Sequence, residues 1–234
     1  GHSDGAEGHV GEPAPVVPCG AAPQTPDVHH GVFVPIEPIP RRRTARALAT
    51  LGALDESAGP DAPDPVDELL RWQAELDARL SRGARPTTPD RPGDALAIAL
   101  ARSLHRAVVR DCVLMLCGWG AEAAQLALHE AGRPPRGPDD PDSVFDAYLG
   151  SSHPAPNPQR VRCAIELLRR VVACAPDPIT APALTVLAWL EWSRGRGSVA
   201  GHYLDAAVAI DPHYRLAHLF GTLLGRGCIP EWLE

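Results

Sequence analysis

The chain of 234 residues contains no lysine: all 22 of its basic side chains are arginine. It therefore has no Walker A lysine, no lysine to hold pyridoxal as a Schiff base and no catalytic lysine. Cysteine occurs at Cys19, Cys112, Cys117, Cys163, Cys174 and Cys228 but never as a C-x-x-C pair, which removes the zinc-ribbon and thioredoxin-like motifs. Four of the six lie in apolar helical runs, where a thiol packs as a small hydrophobe. The expectation is reduced thiols in a cytoplasmic protein. No apolar run reaches membrane-spanning length, and no signal-peptide pattern opens the sequence. Positive charge is short as well: the formal charge is −7 and the pI about 5.8. That balance argues against a nucleic-acid or anionic-membrane surface. The single methionine is Met115 and the first residue is glycine, so the sequence reads as a fragment lacking an N-terminal region.

What the chain has in excess is proline (26) and glycine (21), gathered in the first forty positions and in the loops. Residues 1–40 show no helical periodicity and read as a disordered or extended Pro/Gly-rich segment. Within it, 31–36 (Gly-Val-Phe-Val-Pro-Ile) suits a strand or a tether. Residues 41–150 read as a helical region. Arg41, Arg42 and Arg43 open a modest amphipathic stretch, and a Pro/Asp/Gly linker at 57–64 leads into a marked helix. Asp64 is placed as its N-cap, Pro65 at its first position, and Asp67 and Glu68 at the positive end of its dipole. Val66, Leu69, Leu70, Leu76 and Leu80 make its expected buried stripe, with Trp72 beside it. From Asp94 a second helix should face Ala95, Ile98, Ala99 and Leu104 inward. The run 112–117 (Cys-Val-Leu-Met-Leu-Cys) is apolar on every side, the pattern of a central core helix, and 121–131 follows a kink at Gly118 and Gly120. Asp111 is placed as the N-cap of that core helix, beside Arg110.

Residues 151–234 are the most legible part. Asn157 and Pro158 start a helix with apolar residues at Val161, Ala164, Ile165, Leu168 and Val172. A second helix spans 180–194 and a third 198–210, joined by a turn in which Gly195 is a C-cap and Ser198 an N-cap. Asp211 and Pro212 should start a fourth, buried along Leu216, Leu219, Phe220, Leu223 and Leu224. Ala164, Leu168, Val172, Ala173 and Pro176 recur thirty-six residues later as Ala200, Leu204, Val208, Ala209 and Pro212. That offset is close to the roughly 34-residue period of tetratricopeptide repeats. The fold expectation is all-α: antiparallel helical hairpins of tetratricopeptide-like type behind a disordered N-terminal segment.

The segment 183–197 (ALTVLAWLEWSRGRG), continued by 204–217 (LDAAVAIDPHYRLA), resembles the C-terminal signature of an actinobacterial domain of unknown function, DUF4192. The tripeptide Val109-Arg110-Asp111 before an apolar helix is similar to that family's upstream pattern. The abundance of Arg, Ala, Gly and Pro fits a GC-rich genome of that kind. The resemblance covers roughly 94–234 and implies a bacterial, intracellular protein, with no catalytic residues to carry over. Family members usually have a further N-terminal half with a Leu-Leu-Gly-Phe-His-Pro motif, which this sequence lacks.

No motif carries a clear chemistry. Gly195-Arg-Gly197 follows a helix instead of a strand, so it reads as a connector and not as a phosphate loop. His202, His213, His218 and Cys228 lack the i, i+3 or i+4 spacing of helical metal ligands, and Asp139, Asp140 and Asp142 lack the spacing of a calcium loop. Ser151, Ser152 and His153 stand outside any G-x-S-x-G elbow. No catalytic, cofactor-binding or metal residues are assigned and no cofactor is expected. Trp189 and Trp119 read as core; Glu191, Trp192, Arg194 and Tyr203 are the candidate partner groove, near the polar end of the second C-terminal helix. The expected function is a non-catalytic protein–protein interaction module. Its partner would be a protein or peptide, or its own N-terminal segment, and neither nucleic acid nor membrane. The alternative is the accessory C-terminal half of an enzyme whose catalytic half is missing.

Overall fold

The computed structural model describes residues 63–82, 94–131, 146, 149–151 and 154–234. The expectations for 1–40, for Arg41 to Arg43, for the aspartates of the 132–142 loop and for Ser152 and His153 lie outside the described residues. Within them the chain forms eight α-helices and no strand. These are α1 (Pro65–Arg82), α2 (Asp94–Ser103), α3 (Ala107–Gly118), α4 (Ala121–Glu130), α5 (Pro158–Cys174), α6 (Ala181–Trp192), α7 (Gly197–Ile210) and α8 (Arg215–Gly225). Short 3-10 turns at Asp177–Ile179 and Glu231–Leu233 complete the set.

The helix starts follow from local chemistry. Asn157 accepts hydrogen bonds from the Gln159 and Arg160 amides, both at 3.0 Å, with Pro158 in the first turn of α5. Asp64 likewise accepts from the Val66 amide at 2.9 Å. Three expected caps are corrected. Asp111 lies inside α3, whose N-cap position is Arg106, because the helix begins a full turn earlier at Ala107. Asp211 accepts from the His213 amide at 2.9 Å and builds a turn, so α8 starts only at Arg215. Ser198 also falls within the first turn of α7, one residue after its start.

Helix α6 is the centre of the body: all twelve of its residues are buried, between α3, α5, α7 and α8. The connection at 193–196 is short enough to make α6 and α7 antiparallel neighbours. Gly195 takes φ +77° there, a conformation that suits glycine, and its amide closes on the Trp192 carbonyl at 2.8 Å. The turn is the connector expected from the sequence. The run 112–117 on α3 is fully buried, against α1, α4, α5 and α6. Arg160 of α5 donates to the Leu116 carbonyl at 3.1 Å, placing a guanidinium at the negative end of the α3 dipole.

The stripe on α1 differs from expectation. Leu69, Trp72 and Leu76 are buried, whereas Val66 and Leu70 are exposed. Trp72 wins the inward position because its indole N–H meets the buried Ser103 hydroxyl at 2.9 Å, which satisfies the polar end of a large apolar ring. On α2 the inward residues are Ala97, Ile98, Leu100 and Ala101, with Leu104 just beyond, while Ala95 is exposed.

An aromatic cluster ties the C-terminal turn to the core. Trp232 packs against Trp119, Trp189 and Trp192 with centroids 6.1, 6.4 and 6.5 Å away, and its N–H donates to the Ser193 carbonyl at 2.9 Å. The next-door Glu231 amide donates to the Gly150 carbonyl at 2.8 Å. This tail therefore clasps residues from both sides of α6.

Candidate functional site

A cavity of about 360 Å³ opens between α3, α6 and α8. Helical periodicity builds each wall. Helix α3 presents Arg110, Asp111 and Leu114; α6 presents Thr185, Val186 and Trp189; α8 presents Leu216, Leu219, Phe220 and Leu223. Leu149 completes the rim. Two of the lining leucines are exposed, Leu219 at 64 % and Leu149 at 40 %, and they mark the mouth.

The wall is apolar even where it carries oxygen. The Thr185 hydroxyl is spent within its own helix, donating to the Ala181 carbonyl at 3.0 Å. At one side Arg110 donates twice to a single Asp111 oxygen, at 2.9 and 3.0 Å, and a third time to the Tyr214 hydroxyl at 3.2 Å. The ion pair is thus internally compensated. Burial pushes the Tyr214 phenol up, against the opposing pull of the Arg110 guanidinium.

The structure places the four residues expected to form a partner groove as follows. Trp192 is 2 % exposed and donates its indole N–H to the Cys228 carbonyl at 2.8 Å, with its ring edge-on to Phe220. Tyr203 is 5 % exposed and its hydroxyl accepts a hydrogen bond from Arg169, linking α7 to α5. Glu191 is 4 % exposed. Its carboxylate faces Arg196 at 3.2 Å and Arg194 at 3.7 Å, and its carbonyl accepts the Arg196 amide at 2.9 Å. Arg194 alone is exposed. The structure brings Glu191 and Arg194 together as part of the α6–α7 turn, and it uses Trp192 and Tyr203 inside the fold. None of the four lines the cavity.

The arrangement is suited to binding apolar matter. The thiols nearest the core are poor nucleophiles: burial pushes both Cys112 and Cys117 up to about 12. Among the described residues no three His, Cys, Asp or Glu side chains gather as a metal-ligand set. No helix among them is long and apolar enough to cross a membrane.

The sequence reading singled out Arg110 and Asp111 and the leucines of α8, but as caps and core, not as a shared site. The signal that could have found the site is the width of the α8 stripe. Five large apolar residues on an eleven-residue helix are more than one neighbouring hairpin covers.

By class the described body is an all-helical protein built on one buried central helix. More particularly, residues 146–231 match the model of a family described as Domain of unknown function (DUF4192). The match covers the C-terminal portion, where the resemblance in α6 and α7 lies, and does not reach back to Val109-Arg110-Asp111. No curated protein and no solved structure matches the chain. The cavity accordingly straddles the edge of the matched region: the α3 wall lies outside it and the α6 and α8 walls inside it.

Proposed function

We propose that this helical body is a non-catalytic protein-interaction module of tetratricopeptide-like build, working in the cytoplasm, and that its cavity receives an apolar anchor from a partner segment. One observation carries the reading: a cavity walled by apolar side chains whose mouth leucines, Leu149 and Leu219, stand in solvent. Exposed large apolar groups beside an unfilled apolar pocket are the arrangement that hot-spot anchoring uses. The groove flanked by a helix suits an amphipathic partner helix, which buries its apolar face in this way.

The interior position of Trp189 provides the test, because its ring is part of the cavity wall. An uncharged amphipathic helical peptide carrying Leu and Phe anchors is titrated into the protein while tryptophan emission is followed. Saturable binding that is abolished by the cavity-filling substitution Leu223→Trp, with no loss of melting temperature, supports the reading. An emission spectrum that stays unchanged up to millimolar peptide, together with no heat of binding by calorimetry, removes it.

A further inference from the structure

The charge around the cavity mouth says which partner fits. Helix α8 contains no acidic residue along its whole length, Arg215–Gly225, although the chain as a whole carries −7. Exposed Arg215, Leu219 and Thr222 on the helix and exposed Arg226 at its C-cap, where the backbone is still helical, are spaced by four, three and four residues, so they share one face. At the helical rise the two arginines stand roughly 6 Å and 10 Å along the axis on either side of Leu219. Neither has a carboxylate partner among the described residues, in contrast to Arg79, Arg106 and Arg110, which are all paired. The exposed His218 beside them has its ring nitrogen 2.7 Å from the Pro212 carbonyl and presents no negative group either. On the opposite rim the Arg110–Asp111 pair contributes no net charge. The mouth is therefore an apolar opening flanked by two guanidiniums that have no carboxylate partner among the described residues.

Resting on the interaction reading above, we propose that the cavity's partner is an acidic amphipathic segment of another protein. It inserts one or two bulky apolar side chains past Leu219 and sets carboxylates against Arg215 and Arg226. Guanidinium and carboxylate match in geometry as well as in charge. A second copy of this chain is a poor occupant. Two α8 faces laid together would oppose arginine to arginine, since a two-fold interface pairs the same patch with itself. A basic segment meets the same repulsion.

The test uses the full chain and four helical peptides of one length: acidic, neutral and basic versions with the same apolar anchors, and an acidic version with alanine at the anchors. Binding is read by fluorescence anisotropy at low and high salt. The acidic anchored peptide should bind about tenfold tighter than the basic one at low salt, and the gap should close at high salt. The double substitution Arg215→Glu with Arg226→Glu, on exposed positions, should invert the order without changing the melting temperature.

Equal binding of the three anchored peptides overturns the charge assignment and leaves the docking reading standing. Binding of the alanine version as tight as that of the anchored acidic one overturns the anchor, and with it the role of the cavity. Binding by none of the anchored peptides overturns both readings. A concentration-dependent dimer whose formation Leu219→Asp abolishes, and which excludes the acidic peptide, assigns the face to self-association and also overturns the proposal.

Discussion

Helices α6 and α8 touch each other and both read as leucine-rich apolar segments, yet one is enclosed on all sides and the other lies half bare. Every residue of α6 is buried, even Glu191 and Trp192 at its polar end; in α8 only Ala217 and Phe220 are. The difference lies in the neighbours. Helix α6 has α3, α5, α7 and α8 around it, whereas α8 rests chiefly on α7 and α6. Apolar content sets how much surface a helix is able to bury, and the number of packed partners sets how much it does bury. A helix with all its partners is finished; a helix short of one is available.

The sharpest break in this comparison comes from equal truncations of the two helices. Leu187→Ala in α6, at a fully buried position, should cost about 2–5 kcal/mol in urea unfolding. Leu219→Ala in α8 should stay within about 0.5 kcal/mol. Similar losses at the two sites would mean that α8 is covered on its outer face in solution.

A smaller effect is expected at the joint between the enclosed helix and the open mouth. Gly150 holds φ +75°, and a Cβ there would lie 2.8 Å from the Pro230 Cα and 2.7 Å from the Trp192 ring. Backbone cannot step aside as a flexible side chain does, so Gly150→Ala should cost about 1–3 kcal/mol and loosen Leu149 at the rim. A melting curve superimposable on that of the parent would show that the Pro230 segment is not held there.

The smallest effect, taken per pH unit, is a pH dependence centred on the buried thiols of α3. The native state keeps the Cys117 thiol protonated up to about 12, while the unfolded chain releases that proton near the ordinary 9.0. Between those values the unfolded state binds fewer protons, so stability falls as pH rises, on the order of 1 kcal/mol per pH unit. The same direction holds for Cys112 and Tyr214, whose protons burial also retains. Cys117→Ala should flatten the slope of thermal midpoint against pH; an unchanged slope would assign the alkaline loss to other groups.

The sequence made legible what depends on neighbours along the chain. Asn157 and Asp64 were readable as caps because the amides they satisfy are two or three residues away. The apolar run at 112–117 was readable as core because a helix apolar all round has no face left for water. Exposure of Val66, Leu70 and Leu219 was not readable, since it is decided by which distant helices arrive and which do not. Glu191 shows the same limit from the other direction. A charged residue near a helix end suggests a surface, and here two arginines of the following turn carry it inward. The cavity was the least legible feature, because its three walls come from α3, α6 and α8 and no single segment describes it.

The clasp made by Trp232 bears on the order in which the molecule assembles. Contacts within the α6–α7 hairpin join residues close in sequence and close early, at small entropic cost. The ring contact between Trp119 and Trp232, and the bond from the Glu231 amide to the Gly150 carbonyl, join segments on opposite sides of several finished helices. They reward the chain only after those helices have met. Since Leu149 is anchored through its neighbour Gly150, contact separation predicts that the rim of the cavity is the last part of the body to take shape during folding. By the same reasoning it is the first to open when stability falls, so any ligand of that rim is also a ligand of the completed native state.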